Sequence, residues 1–252
     1  MNSQNPSQEH LQFIINLFTQ GQLHQALSEA TQMLERFPNS VILYNIAGAC
    51  NAGLMEFNAA ISSYKKAIKI KPDYAEAYYN MSVVLNDKGD LEAAIENYKQ
   101  ALKIKPDYAQ AYNNMGNALK EIGDLDAAIS NYKKAFKIKP DYSQPYYNMG
   151  NILKEKGDLE AAISSYKQAI KIKPDYAESH CDLGNALLLL NQSEQALVSY
   201  EKAISLKKDL NPAISGLGNL LLKKGEHSKG LDKLRQAEGS ILFNIKSGLS
   251  IK

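Results

Sequence analysis

The chain has 252 residues, 44% of them hydrophobic and 22% charged, with 29 basic against 27 acidic side chains and a formal net charge of +2. This is the composition of a folded chain, not a disordered one, and the near balance of charge argues against a dedicated nucleic-acid binder. The longest apolar run, residues 186–190, is too short to cross a bilayer, so no membrane insertion is expected.

Residues 1–6 read as a polar tail. The opening "MNSQNPSQEH" has no Lys or Arg before Arg36, and "LQFIINLF" is interrupted by Gln12 and Asn16, so the layout of a secretory leader is missing and a cytoplasmic chain is expected. From residue 7 the chain is periodic. The hexapeptide Lys-Ile-Lys-Pro-Asp-Tyr stands at 69–74 and returns at 103–108, 137–142 and 171–176, a spacing of 34. Carrying that register both ways gives seven repeats: 7–40, 41–74, 75–108, 109–142, 143–176, 177–210 and 211–244. In repeat 109–142, small or apolar residues fall at positions 3, 4, 7, 8, 10 and 11 (Ala111, Tyr112, Met115, Gly116, Ala118, Leu119), on one side of a helix. A second helical stripe follows at Leu125, Ala128, Ile129, Tyr132, Ala135, Phe136 and Ile138.

Each repeat is thus two amphipathic helices. Gly89, Gly123, Gly157 and Gly225, with Asn191, stand at position 15, where the first helix must end in a left-handed residue. Asp90, Asp124 and Asp158 follow as N-caps of the second helix. In the hexapeptide the lysines suit a helix C-terminus and proline blocks its continuation. The aspartate is expected to cap the next helix, with Glu76, Gln110, Gln144 and Glu178 at capping-box spacing. After repeat seven, residues 245–252 are a tail or the start of a following domain. Over residues 237–252, Gly239 and Gly248 disfavour helix, and Ile245, Leu249 and Ile251 alternate as in a strand.

The pattern resembles the tetratricopeptide repeat (TPR) family. Position 4 carries Tyr44, Tyr78, Tyr112 and Tyr146; position 8 carries Gly48, Gly116, Gly150, Gly184 and Gly218. Ala26, Ala60, Ala94, Ala128, Ala162 and Ala196 occupy position 20, and Tyr64, Tyr98, Tyr132, Tyr166 and Tyr200 position 24. Position 27 is Ala in six repeats, and Pro38, Pro72, Pro106, Pro140 and Pro174 hold position 32. The departures gather in the end repeats, as at His10, Ile14, His180, Lys208, Gly230 and Leu234. The resemblance implies an all-α fold, a right-handed α-solenoid of seven tandem helix-turn-helix TPR units over residues 7–244, with signature residues serving as core. Cys50 and Cys181 lie four repeats apart, so no disulfide between them is expected.

Chemistry is sparse. His10, His24, His180 and His227 have no metal-ligand spacing to one another or to the cysteines; no phosphate-binding glycine loop is present; and no nucleophile has a base in helical register. No catalysis, cofactor or metal is expected. The many lysines of the second helices read as solvated faces and dipole-favoured helix ends.

The informative surface is on the first helices, at positions 2, 5, 6, 9, 12 and 13, which the resemblance places on the concave side of the superhelix. Position 5 reads Asn45, Tyr79, Asn113, Tyr147, Cys181; position 6 reads Asn80, Asn114, Asn148, Asp182; position 9 carries Asn117, Asn151 and Asn185. An asparagine amide both donates and accepts, and so suits the backbone of an extended peptide. The stack looks like the asparagine ladder of O-linked N-acetylglucosamine transferase repeats. Tyr79 and Tyr147 are expected to face solvent with no core role. Leu188 and Leu189, at positions 12 and 13, offer either an apolar pocket or packing against repeat seven. The carboxylate clamp by which some relatives hold chaperone C-termini is not expected: the window Asn113, Asn117, Asn148 continues with acidic Glu178 and Asp182. The expected function is a non-catalytic scaffold binding an extended peptide or partner protein in this groove. The alternatives are the substrate-recruiting arm of a larger glycosyltransferase and a self-associating module that forms homo-oligomers.

Overall fold

Fourteen helices come in seven pairs in the computed structural model, which describes residues 6–238, 241–244 and 248–251. They are α1 (Gln8–Thr19), α2 (Leu23–Arg36), α3 (Val41–Gly53), α4 (Phe57–Ile70), α5 (Ala75–Asp87), α6 (Leu91–Ile104), α7 (Ala109–Glu121), α8 (Leu125–Ile138), α9 (Ser143–Glu155), α10 (Leu159–Ile172), α11 (Ala177–Leu189), α12 (Ser193–Leu206), α13 (Asn211–Lys223) and α14 (His227–Glu238). The chain divides into two compact bodies, residues 1–138 with α1–α8 and residues 139–252 with the rest. Within each body, the second helix of one repeat packs on the first helix of the next, as α2 on α3 and α10 on α11, so each body is a stretch of α-solenoid.

The packing follows from residue size. Ala60, Ala94, Ala128 and Ala162 at position 20 are fully buried, as are Ala67, Ala101, Ala135 and Ala169 at position 27, which lets paired helices approach closely. Into that space go the tyrosines of position 24: Tyr64, Tyr98, Tyr132, Tyr166 and Tyr200 are each at most 2% exposed. The glycine at position 8 makes room for this ring. A Cβ on Gly116 would lie 2.6 Å from Tyr132 Cε1, and one on Gly150 2.7 Å from Tyr166 Cε1.

The helix punctuation is partly as expected. Gly89, Gly123, Gly157 and Gly225 have φ between 81° and 87°, and Asn191 has φ 58°. Repeat two uses Met55, with φ 62°, at the same corner. Asp90, Asp124 and Asp158 each accept a backbone N–H three residues on, at 3.4, 3.1 and 3.2 Å. The hexapeptide aspartates, however, are not caps. The N-caps of α5, α7, α9 and α11 are Tyr74, Tyr108, Tyr142 and Tyr176, without a side-chain cap bond, so no capping box forms with Glu76, Gln110, Gln144 or Glu178. Pro and Asp are instead the central pair of a reverse turn. Tyr108 N–H donates to Lys105 C=O at 3.3 Å and Tyr176 N–H to Lys173 C=O at 3.1 Å. The lysine opening the turn then reaches over the tyrosine closing it, 4.6 Å from the Tyr108 centroid for Lys105 and 5.0 Å from Tyr176 for Lys173.

Two short strands follow α14, inside and just beyond the register of repeat seven. β1 (Ile241–Asn244) and β2 (Gly248–Ile251) pair antiparallel, with Ile241 opposite Ile251 and Asn244 opposite Gly248. Leu249 and Ile251 therefore lie in a strand as their alternation suggested, whereas Gly239 and Ile245 lie outside the described residues. Cys50 and Cys181 are buried free thiols; burial pushes the first up to about 11 and the second up to about 12.

Candidate functional site

Within each body, hydrogen bonds link the first-helix faces of neighbouring repeats. Position 5 of one repeat meets position 6 of the next: Asn80 Nδ2 donates to Asn45 Oδ1 at 3.0 Å, and Asn114 Nδ2 donates to the Tyr79 hydroxyl at 3.1 Å. In the second body the Tyr147 hydroxyl donates to Asp182 Oδ2 at 2.9 Å. Asn117, Asn151 and Asn185 each accept from the buried tyrosine of their own repeat, Tyr132, Tyr166 and Tyr200, at 2.8 Å in all three. A buried phenol needs such a partner, so position 9 completes the core as well as facing the groove.

Tyr79 and Tyr147 do have a core role, contrary to the expectation from spacing. Tyr79 packs 6.0 Å from Tyr98 and 4.7 Å from Tyr108, and Tyr147 packs 6.0 Å from Tyr166 and 5.0 Å from Tyr176, centroid to centroid. Both are half-buried, and burial raises the pKa of each; Tyr108 and Tyr176 are pushed up to about 12, chiefly by burial. The position-34 tyrosine of the hexapeptide turn is what reaches them. Asn113, also placed on the groove by its spacing, is 2% exposed and donates to Asn114 Oδ1 at 3.1 Å. Asn148 accepts from Gln144 Nε2 at 3.0 Å, and Gln144 Oε1 in turn accepts from the Tyr176 hydroxyl at 2.8 Å. Asp182 is the hub of the second body: besides Tyr147 it accepts from Lys154 Nζ at 2.6 Å and Asn185 Nδ2 at 3.3 Å. Leu188 is half-buried against the core of that body, while Leu189 is 62% exposed.

Two openings lie on this face in the first body. One, of about 420 Å³, is lined by Ile15, Phe18, Ile42, Asn45, Ile46, Ala49 and Asn80. Ile15, Phe18 and Ile42 are each more than a third exposed there. The other, of about 200 Å³, is lined by Val83, Asn86, Asp87, Tyr98, Asn114 and Asn117. Apart from Tyr98, the lining residues of both stand at positions 2, 5, 6, 9, 12 and 13. The apolar opening is therefore written in repeats one and two by the same rule that picks Asn114 and Asn117 in repeat four. It is missed by attending to the middle repeats alone. Among the described residues, no group of three or more His, Cys, Asp and Glu side chains could hold a metal ion, and no helix is long and apolar enough to cross a membrane.

Comparison with known proteins agrees with this architecture. The family model described as TPR repeat matches residues 56–85, 83–123, 116–157 and 150–191, and one described as tetratricopeptide repeat matches 177–210. The chain belongs to the tetratricopeptide repeat family, and its two bodies have that family's all-helical solenoid fold. Among solved structures, MamA is 26% identical with a TM-score of 0.58, over 62% of this chain and 92% of MamA. YrrB, described as a TPR protein with an unusual peptide-binding site, is 21% identical with a TM-score of 0.60, over 73% of this chain and 95% of YrrB. The C-terminal part of a TPR repeat-containing protein from Cytophaga hutchinsonii shares 17% identity and a TM-score of 0.72, over 94% of this chain and 97% of that one. No curated protein matches the chain.

Proposed function

We propose that the chain is a non-catalytic scaffold that holds an extended segment of another protein against its first-helix face. The observation that carries this reading is the apolar opening in which Ile15, Phe18 and Ile42 stay more than a third exposed beside buried Ile46, on a face where Asn45, Tyr79, Asn80 and Asn114 are bonded in pairs. In the first body the side chains of Tyr79, Asn80, Asn114 and Asn117 stand on the same face, and in the second body Tyr147, Asn148, Asn151, Asp182 and Asn185, with exposed Leu189, hold the equivalent positions. Within each body their bonds hold that face rigid, which lowers the entropy lost when a segment docks. Asn113 is set aside because it is buried. The peptide-binding site described for YrrB and the family's repeat geometry support the same reading.

The asparagines alone support the alternative of a glycosyltransferase arm. Three of them accept from core tyrosines, which accounts for position 9 without a ligand. The buried free thiols suit the cytoplasm. The scaffold reading is tested by comparing partner capture from the source lysate by the native chain and by Phe18→Ser/Ile42→Ser, after circular dichroism shows equal helicity. Loss of specific partners in the variant is expected; capture unchanged by the double substitution rejects the face as the site.

A further inference from the structure

The first body has a third opening, of about 560 Å³, which runs along α4 to the corner between α5 and α6. Four lysines border it: Lys65, Lys66 and Lys69 from α4 and Lys88 from the end of α5. Half-buried Ile61 and buried Leu85 line it between them. Lysines near a helix C-terminus suit its dipole, but elsewhere the chain also supplies a carboxylate. Position 18 is acidic in repeats three to six, as Glu92, Asp126, Glu160 and Glu194. Glu194 pairs with Lys224, at position 14 of the next repeat, at 3.8 Å, and Glu96, at position 22, pairs with Lys99 at 3.9 Å. Repeat two has Asn58 and Ser62 at those two acidic positions, and α4 contains no acidic residue. Lys88, at position 14, therefore meets a neutral group, donating to Asn58 Oδ1 at 2.8 Å. Among the described residues none of the four lysines is in an ion pair, although Lys66 lies 5.5 Å from the Tyr44 ring centroid. The one carboxylate on the rim, Asp90, already accepts the Ala93 N–H as the cap of α6.

Four ammonium groups around one opening make its potential positive, and the groups that offset lysines in the other repeats indicate the chemistry that complements it: carboxylates. We propose that this opening is a docking site for an acidic segment of a partner protein, whose Glu or Asp side chains meet Lys65, Lys69 and Lys88 while an apolar side chain beside them covers Ile61 and Leu85. The site is separate from the first-helix face and does not depend on a ligand being held there. Lys65 and Lys69 are one helical turn apart, about 6 Å of rise, which an extended chain spans in two residues. Carboxylates on alternate residues therefore match them. The ion pairs formed are exposed to water, so each adds little, the segment is held by several at once, and its affinity falls as salt is added.

The test is selection of a random dodecapeptide display library on the full chain, then titration of an enriched synthetic peptide by fluorescence anisotropy against the native chain and variants of equal helicity. The expected result is a family of peptides with two or more Glu or Asp on alternate residues beside a Leu, Ile or Phe. Such a peptide should bind Lys65→Gln/Lys69→Gln about ten-fold more weakly, the loss appropriate to two exposed ion pairs. Asn58→Glu, which installs the acid that repeats three, five and six already carry, should weaken it by a similar factor. Lys167→Gln/Lys171→Gln removes the same charge from the same positions of repeat five and should bind as the native chain does. Phe18→Ser/Ile42→Ser should also bind normally. The inference is overturned if no acidic family is enriched, or if the repeat-five variant loses as much, which reduces the effect to net charge. It is also overturned if dodecathymidylate binds more tightly than the peptide through the same lysines, which assigns them to nucleic acid. Loss of the acidic peptide only in Phe18→Ser/Ile42→Ser overturns it as well and leaves the first-helix reading standing.

Discussion

Tyr79 in the first body and Tyr147 in the second occupy the same position of the repeat and pack in the same way, each against a core tyrosine and the tyrosine of a hexapeptide turn. They differ in what their hydroxyls meet. Tyr79 accepts from the neutral amide of Asn114, whereas Tyr147 donates to a carboxylate that also holds Lys154 and Asn185. The second body has therefore closed its groove face with its own charges. The first has a neutral amide–phenol pair there and an apolar opening at Ile15, Phe18 and Ile42. Groove chemistry in a repeat protein is set by which of its own side chains fill the positions that a ligand would use.

The largest expected effect comes from alkali. Burial holds the tyrosines of both trios above their ordinary value of 10, with Tyr108 and Tyr176 at about 12. A raised folded-state value means that the stability is fully present below pH 10 and is lost as pH rises through the folded values, because the unfolded chain ionises first. Helicity followed by circular dichroism should fall between pH 10 and about 12, together with the rise in tyrosinate absorbance. Difference titrations with Tyr79→Phe and Tyr147→Phe then sharpen the contrast. Tyr147, beside Asp182, should ionise after Tyr79, and the reverse order would break it.

Next is Asp182→Ala, which strands the Lys154 ammonium and the Tyr147 hydroxyl and should cost about 2–3 kcal/mol, against about 1 kcal/mol for Asn114→Ala. Because each repeat contacts only its neighbours, hydrogen exchange should show the Asp182→Ala loss centred on α9–α13. A smaller difference separates the tyrosines themselves. Tyr147→Phe removes a charge-assisted bond and should cost about 1.5 kcal/mol in urea melts, whereas Tyr79→Phe removes a neutral one and should cost about 0.5–1 kcal/mol. Smallest is Met55→Gly in the first body. It relieves a left-handed residue that is 73% exposed, is partly offset by the greater chain entropy of glycine, and should raise stability by less than about 0.5 kcal/mol, with no gain if that corner is relaxed in the native chain.

Much of this was legible in the residues. Spacing identified the helix pairs and the corners at Gly89, Gly123, Gly157, Asn191 and Gly225, and the resemblance to the repeat family added the tyrosine–alanine–glycine core, since helical period, glycine conformation and side-chain size act locally or between adjacent repeats. The same position rule, applied to repeats one and two, points to Ile15, Phe18, Ile42 and Ile46. The hexapeptide aspartates misled because the capping-box pattern has the same spacing as a turn with Pro and Asp at its centre, and only backbone geometry separates the two. What the tertiary structure alone decided was which side chains of the first-helix face are already bonded or covered. Tyr79 and Tyr147 are drawn into the core by tyrosines 29 residues downstream, Asn113 is covered, and Lys154 is consumed by Asp182, while Ile15, Phe18 and Ile42 stay exposed. A one-dimensional pattern states which face a side chain occupies; whether it still has a bond to offer there depends on neighbours one repeat away.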